Sequence, residues 1–457
     1  AMAFGRSRPA GHAPAPAPLM EGAGASNAEG SGDLAARRQG PPRPNWLPRG
    51  RPRMTRWRAA LALGAVVLAA AALVSRERDR FSAEGADLSR RLIGDENTAR
   101  IESWYFRLQD RGDRLKYRLF GGDTTPFQAD SVVVQIVPLP PGPVVRIDRS
   151  KRTGAVVLPE IVVRTMPPPL SPPETKPLGT NLEAGEGVWT AAGLPRHAAS
   201  DPIMLKTFIR PDTSRPYASV GVLLIDSRRV RLHMTGGTVD PGGDRGVKGP
   251  GVIPQADLAS LLVAWNGGFK GPHGNFGMRA DGKEYRPLRN GLATLCVAKD
   301  GAISMGEWGS TIAWDETMAA CRQNAALLVK DGEVSKRVNE GNDTWGYVNV
   351  NSAEFITWRS AVGLTKDGNL IVAAGNSLSA ATLAKALWAA GAQTAMQLDI
   401  NSPYVLTGLF FAQSDGSLKG EKFMDAMPDS ATRFFKSQER DFMYVTYDDS
   451  RYRNLIR

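Results

Sequence analysis

Two apolar runs in this chain end in residues equipped for chemistry. LLVAW (261–265) stops at Asn266-Gly267-Gly268, followed by Lys270, His273 and Asn275 among further glycines, and TAMQL (394–398) stops at Asp399-Ile400-Asn401. A strand tip holds side chains on rigid backbone at the rim of a sheet, within reach of a ligand. Glycines such as Gly267 and Gly268 let main-chain N–H groups approach an anion, and Lys270 adds positive charge. Asp399 has the chemistry of a nucleophile, a base or a stabiliser of positive charge, and His273 can transfer a proton near neutral pH. Each feature also has a plainer reading, Gly-Gly as a bulge or turn and His273 as a loop cap.

The elements that must position these residues read as β-rich. From about residue 188, short runs alternate with turns: VGVLLID (220–226), RVRLHM (229–234), ATLCVAKDGAISMG (293–306), ALLVKDGEV (326–334) and AVGLTKDGNLIVAAG (361–375). Asp300-Gly301, Asp331-Gly332 and Asp367-Gly368 are pairs suited to two-residue hairpins, which predicts antiparallel strands. One helix stands out, with Ser379 as N-cap, an apolar stripe of Ala380, Leu383, Ala384, Leu387 and Trp388, and Gly391 at its end. The expected fold is α+β, sheet-dominated, with antiparallel hairpins and packed helices.

The segments NGGFK (266–270), RSAVG (359–363) and QLDIN (397–401), in that order, resemble the phosphodiester glycosidase domain over about residues 200–415. The resemblance implies a hydrolase of sugar phosphodiesters and places Asn266, Arg359 and Asp399 in its active site. Two segments depart from the family's pattern. Lys270 stands where it has a second Phe, and Ile400-Asn401-Ser402 where it has three glycines. The loss of those glycines removes a cradle for phosphate; Lys270, His273 and Asn401 are either replacement donors or marks of a different substrate. On this reading Arg359 grips two phosphate oxygens as a bidentate fork, and Asp399 acts at the sugar carbon. Asn266 orients a sugar hydroxyl or phosphate oxygen, and His273 protonates the leaving group. A structural Arg359–Asp399 ion pair is the plain alternative. Trp345, in GNDTWGYVN (341–349), is either a platform for a sugar ring or a core residue. Asp399, Asn401 and nearby carbonyls are oxygen donors of the kind a divalent metal takes, but no metal-spacing motif accompanies them and no cofactor is implied.

The rest of the chain concerns place rather than chemistry. Most of the +11 net charge lies in residues 1–58, where ten arginines outnumber Glu21, Glu29 and Asp33. No basic helix or aromatic-basic ladder follows, which argues against nucleic acid as a partner. Residues 1–56 read as a disordered cytoplasmic tail. Residues 57–75 read as a transmembrane signal anchor: the uncharged run AALALGAVVLAAAALV (59–74) follows Arg49, Arg51, Arg53, Arg56 and Arg58. A cleaved signal peptide has a run of this length, but its basic region is far shorter than the 58 residues found here. The positive-inside rule then leaves a single-pass membrane protein with everything after residue 75 outside the cytoplasm. Residues 76–137 form a helical region in which Ile101, Trp104, Tyr105 and Leu108 share one face. It is either an oligomerising stalk (86–120) or a helix packed on its own domain. Residues 138–187 read as a Pro-rich spacer, with short β pieces just before it at 132–137 and within it at 155–163, and residues 188–457 as the glycosidase-like domain. Cys296 and Cys321 form either a disulfide, which an outside location permits, or two buried thiols. Together these readings describe a membrane-anchored glycosidase acting on the phosphodiesters of envelope glycopolymers. The alternative is a non-catalytic glycan-binding or scaffold protein on the same fold.

Overall fold

Alternation along the strands decides the layering. A computed structural model describes residues 89–121 (without 91), 125–127, 168–196, 200–346 and 355–454 (without 403). The tail, the apolar run at 57–75 and the β pieces at 132–137 and 155–163 lie outside these residues. Among the described residues no helix is long and apolar enough to cross a membrane.

Numbered along the chain, the strands build three sheets. The largest runs in the order β1 (Met204–Ile209), β2 (Val220–Ile225), β13 (Leu370–Leu378), β12 (Thr357–Thr365), β14 (Ala392–Ile400), β10 (Leu327–Lys330), β11 (Glu333–Val334). The second runs β16 (Leu418–Lys422), β15 (Thr407–Ala412), β4 (Leu261–Asn266), β17 (Phe442–Tyr447), β3 (Val230–Thr235). The third runs β6 (Lys283–Arg286), β5 (Met278–Ala280), β9 (Met318–Asn324), β7 (Ala293–Ala298), β8 (Ile303–Glu307). Every ladder between these strands is antiparallel. The expected hairpins form, β7–β8 across Asp300-Gly301, β10–β11 across Asp331-Gly332 and β12–β13 across Asp367-Gly368. Asp331 and Gly332 both take positive φ, 53° and 77°, the twist that a two-residue hairpin requires.

Successive residues of one strand point to opposite faces. Leu223, Ile225, Val362, Val372 and Ala374 of the large sheet therefore join one core with Val263, Trp265, Met443 and Val445 of the second sheet. Val222, Leu224, Ala361, Ile371 and Ala373 join another, with the predicted helix. In that helix Leu383 and Leu387 are fully buried, worth about 1.5–3 kcal/mol each. Its N-terminus closes as expected: the Ser379 hydroxyl accepts from the Thr382 N–H at 3.1 Å and Thr382 Oγ1 accepts from the Ser379 N–H at 2.9 Å. Gly391 follows it at φ 82°.

Residues 168–187, read as spacer, lie against the domain. Leu170 is buried, the Lys176 N–H donates to the Ala389 carbonyl, and Trp189 Nε1 donates to the Pro173 carbonyl. The helical region forms one long helix, α1 (Asp95–Phe120). It packs on its own domain, but through Thr98, Ser103, Phe106 and Asp110 rather than through the apolar face read from sequence. Ile101, Trp104 and Leu108 of that face are exposed, and the side chain of Tyr105 lies outside the described residues. Phe106 meets Phe355 edge-on at 5.9 Å, and Asp110 accepts from Arg215 at 3.0 Å and from the Tyr217 hydroxyl at 2.6 Å. Cys296 and Cys321 face each other across β7 and β9 and are joined as a disulfide.

Candidate active site

The tips of β4, β9 and β14, one from each sheet, meet at one end of the fold. The Asp399 N–H donates to the Gly267 carbonyl at 3.0 Å. Asn324, last residue of β9, donates through Nδ2 to the Gln397 carbonyl at 2.7 Å and accepts from the Phe269 N–H at 3.3 Å. The two predicted strand ends thus become neighbours.

The glycines here serve a buried ion pair. A Cβ on Gly267 would stand 2.0 Å from the Asp441 carboxylate, and one on Gly268 would stand 2.9 Å from the Arg322 guanidinium. Arg322 and Asp441 pair at 2.8 Å with side chains 0% and 1% exposed. The Gly268 N–H donates to Asp441 at 3.2 Å, while Arg322 also donates to the Phe269 and Gln323 carbonyls. The group that approaches the backbone is therefore the protein's own carboxylate, and the reading of Gly267 and Gly268 as a phosphate nest is corrected.

A small cavity opens beside this lock, lined by Arg90, Glu102, Phe269, Lys270, His273, Gly346, Phe355, Asp399, Ile400, Asn401, Tyr404 and Arg440. Of the predicted residues, Asp399, His273, Lys270 and Asn401 converge on it. Asp399 is 5% exposed, accepts from the Ile400 N–H at 2.9 Å and pairs with Arg440 at 2.9 Å. Burial pushes its carboxyl up to about 6, against the opposing pull of Arg440. His273 sits one turn from Lys270, its N–H donating to the Lys270 carbonyl at 2.9 Å. Asn401 takes φ 75°, a left-handed conformation that asparagine visits more readily than most non-glycine residues. Its Oδ1 accepts from Thr357 at 3.0 Å. The Arg440 guanidinium lies 4.1 Å above the Tyr404 ring.

Three predicted residues lie elsewhere. Asn266 spends its amide inside the fold, donating to Ser360 Oγ at 2.9 Å and accepting from the Leu406 N–H at 3.2 Å. Arg359 is 1% exposed and ends on oxygens of the protein itself: the carbonyls of Leu378 (3.0 Å), Trp345 (3.0 Å) and Phe355 (2.8 Å), and Gln397 Oε1 (2.5 Å). Burial lowers its pKa to about 9. It ties the Trp345 and Phe355 backbone to the sheet and does not reach the cavity, and the carboxylate's ion partner is Arg440. Trp345 is 1% exposed, with Nε1 donating to the Arg337 carbonyl at 2.8 Å. It is a core residue.

Arg440, Tyr404 and the Arg322–Asp441 pair were not found from sequence. The available signal was FMYVTY (442–447), an apolar and aromatic β-like run directly after Glu439-Arg440-Asp441. Its partner was not legible. Once β17 pairs with β4, setting Phe442 opposite Asn266, Arg440 and Asp441 must lie beside the glycine loop. Among the described residues no group of three or more His, Cys, Asp or Glu is placed to hold a metal ion.

Residues 259–399 match the phosphodiester glycosidase family model. The matched span opens just before β4 and ends on Asp399, so it covers both strand tips, and the family is one of hydrolases. Among solved structures, the catalytic domain of zebrafish N-acetylglucosamine-1-phosphodiester alpha-N-acetylglucosaminidase, auto-inhibited by its pro-peptide, is similar at 17% identity over 56% of this chain and 87% of that one, with a TM-score of 0.36. A hypothetical protein from Synechocystis is similar at 12% identity over 53% and 62%, TM-score 0.29. A putative exported protein from Burkholderia pseudomallei is similar at 11% over 50% and 74%, TM-score 0.21. No curated protein gives a significant match.

Proposed function

We propose that the protein is a phosphodiester glycosidase that works outside the cytoplasm, held to the membrane by residues 57–75 and acting on sugar-phosphodiester linkages of envelope glycopolymers. The observation that carries this reading is the convergence of Asp399 with Lys270, His273, Asn401 and Arg440 on one cavity. A buried carboxylate beside two cationic side chains suits a substrate that pairs a developing positive sugar carbon with a negative phosphate. Asp399 stabilises or attacks the sugar carbon as its bond to the phosphate oxygen breaks. Lys270 and Arg440 neutralise the departing phosphate, a role first read for Arg359. His273 delivers a proton to the leaving oxygen, and Asn401 orients a hydroxyl. The disulfide supports an oxidising compartment.

A second reading, a glycan-binding protein with a closed site, is favoured by one observation. The free volume of the cavity is about 30 Å³, room for a water or two, and Arg90 and Glu102 are part of its lining. The two readings part on turnover. The full chain assayed on a panel of sugar-1-phosphodiesters is expected to release the sugar, and Asp399→Asn to abolish release. Absence of turnover together with binding of envelope polysaccharide would establish the second reading.

A further inference from the structure

The outer face of α1 carries an apolar stripe. Ile101, Trp104, Leu108, Leu115 and Leu119 are 57, 62, 51, 57 and 65% exposed. At 3.6 residues per turn they fall within roughly 60° of the helix circumference, opposite the packed residues Phe106 and Asp110. Leu92 before the helix and Phe120 at its end are also exposed. One border of the stripe is basic, formed by Arg100, Arg107, Arg111 and Arg118, all exposed. Glu96 offsets one of them, pairing with Arg100 at 2.6 Å. The other border carries Gly112 and Lys116.

This charge pattern decides what can cover the stripe. A second copy laid antiparallel against it sets one arginine border against the other. A parallel copy sets the arginines against Lys116. Like charges facing across a helical seam oppose pairing. A surface of anionic headgroups reverses the sign: each basic residue close to it strengthens binding about fivefold, and Trp and Leu settle at the boundary of headgroups and acyl chains. The run AALALGAVVLAAAALV ends at Val74, with only 20 residues between it and Asp95, so a bilayer that holds this run lies within reach of α1. We propose that α1 lies with its outer face on an anionic lipid bilayer, its inner face carrying the domain. The proposal concerns the back of α1 and stands apart from the chemistry of the cavity.

The test uses the full chain with Leu108→Cys, labelled with an environment-sensitive fluorophore. The described residues hold no free cysteine, so the label reports one position. Leu182→Cys, at an exposed site elsewhere on the domain, is the control. In vesicles of phosphatidylcholine with phosphatidylglycerol the label at 108 is expected to shift to the blue, while the label at 182 stays unshifted. Phosphatidylcholine alone should give a much smaller shift, and Arg107→Glu with Arg111→Glu should weaken docking at least about tenfold. An unshifted label at 108, or equal shifts in both vesicles, would overturn the proposal. So would a disulfide-linked dimer of Leu108→Cys in the absence of lipid, which would assign the face to a second copy.

Discussion

Arg440 and Asp441 are neighbours in sequence and belong to two different ion pairs. Asp441 joins Arg322 in a sealed pair with side chains 1% and 0% exposed. Arg440 joins Asp399 at the cavity wall, 20% and 7% exposed. Just before β17 the two neighbouring side chains take different partners, so one dipeptide serves a lock and a site at once. The difference lies in how completely each carboxylate is matched. Asp441 accepts from Arg322 Nε and Nη2 and from the Gly268 N–H. Asp399 has a single backbone donor and one cation at a solvent-facing wall. A matched buried pair fixes shape, whereas an under-matched one keeps chemistry in reserve.

The sharpest way to break this comparison is the same substitution at both carboxylates. Asp441→Asn strands the Arg322 cation in the interior and is expected to cost about 3–5 kcal/mol of stability, read as a lowered midpoint in denaturant. Asp399→Asn is expected to leave that midpoint unchanged or raise it, because burial already disfavours the charged carboxyl. The sign follows from linkage: with a folded pKa of about 6 and an unfolded value near 3.8, the folded protein binds the extra proton between these values. Stability therefore rises as pH falls through that window, and Asn at 399 should flatten the rise. On turnover the order reverses. Asp399→Asn is expected to lose roughly 10²–10⁴-fold, a loss that equal thermal midpoints would assign to chemistry rather than folding.

The pH profile sharpens the same contrast. With Asp399 acting in its ionised form, kcat/KM should climb as pH rises through about 6 and fall about tenfold for each unit below it. Arg440 holds that carboxyl down, so Arg440→Gln should move the acidic limb to higher pH as well as lowering the plateau. A limb that stays in place in Arg440→Gln would mean that another group controls it.

The parts of this molecule legible in its sequence were those fixed by local rules. Asp-Gly pairs marked the hairpins, Ser379 and Gly391 bounded the helix, and the tips of LLVAW and TAMQL pointed to one region. What sequence left hidden was pairing between distant segments. Gly267 and Gly268 announced a close approach, but only the register of β17 against β4 shows that an internal carboxylate makes it. Arg359 sits inside a family motif, and nothing local separates a guanidinium that holds phosphate from one that holds four oxygens of its own fold. The contact face of α1 stayed hidden for a similar reason. Its periodicity gave the helix and its apolar stripe, while polar Thr98, Ser103 and Asp110 made the contact.

The smallest effect concerns access. Arg90 donates to Tyr404 Oη at 3.0 Å and pairs with Glu102 at 2.8 Å, and Asn401 Nδ2 reaches Glu102 at 3.5 Å. These contacts place the Arg90 and Glu102 side chains against Asn401 and Tyr404 in the lining of the cavity. A pair of this kind contributes up to about 1 kcal/mol, so Glu102→Ala should raise kcat/KM by up to about fivefold while leaving the acidic limb of the pH profile in place. Arg90→Ala should do the same, and the double variant should add little, since the two residues act as one ion pair. A fall in kcat/KM in either variant would instead make Arg90 and Glu102 part of the substrate's own binding surface, and α1 a wall of the site rather than its cover.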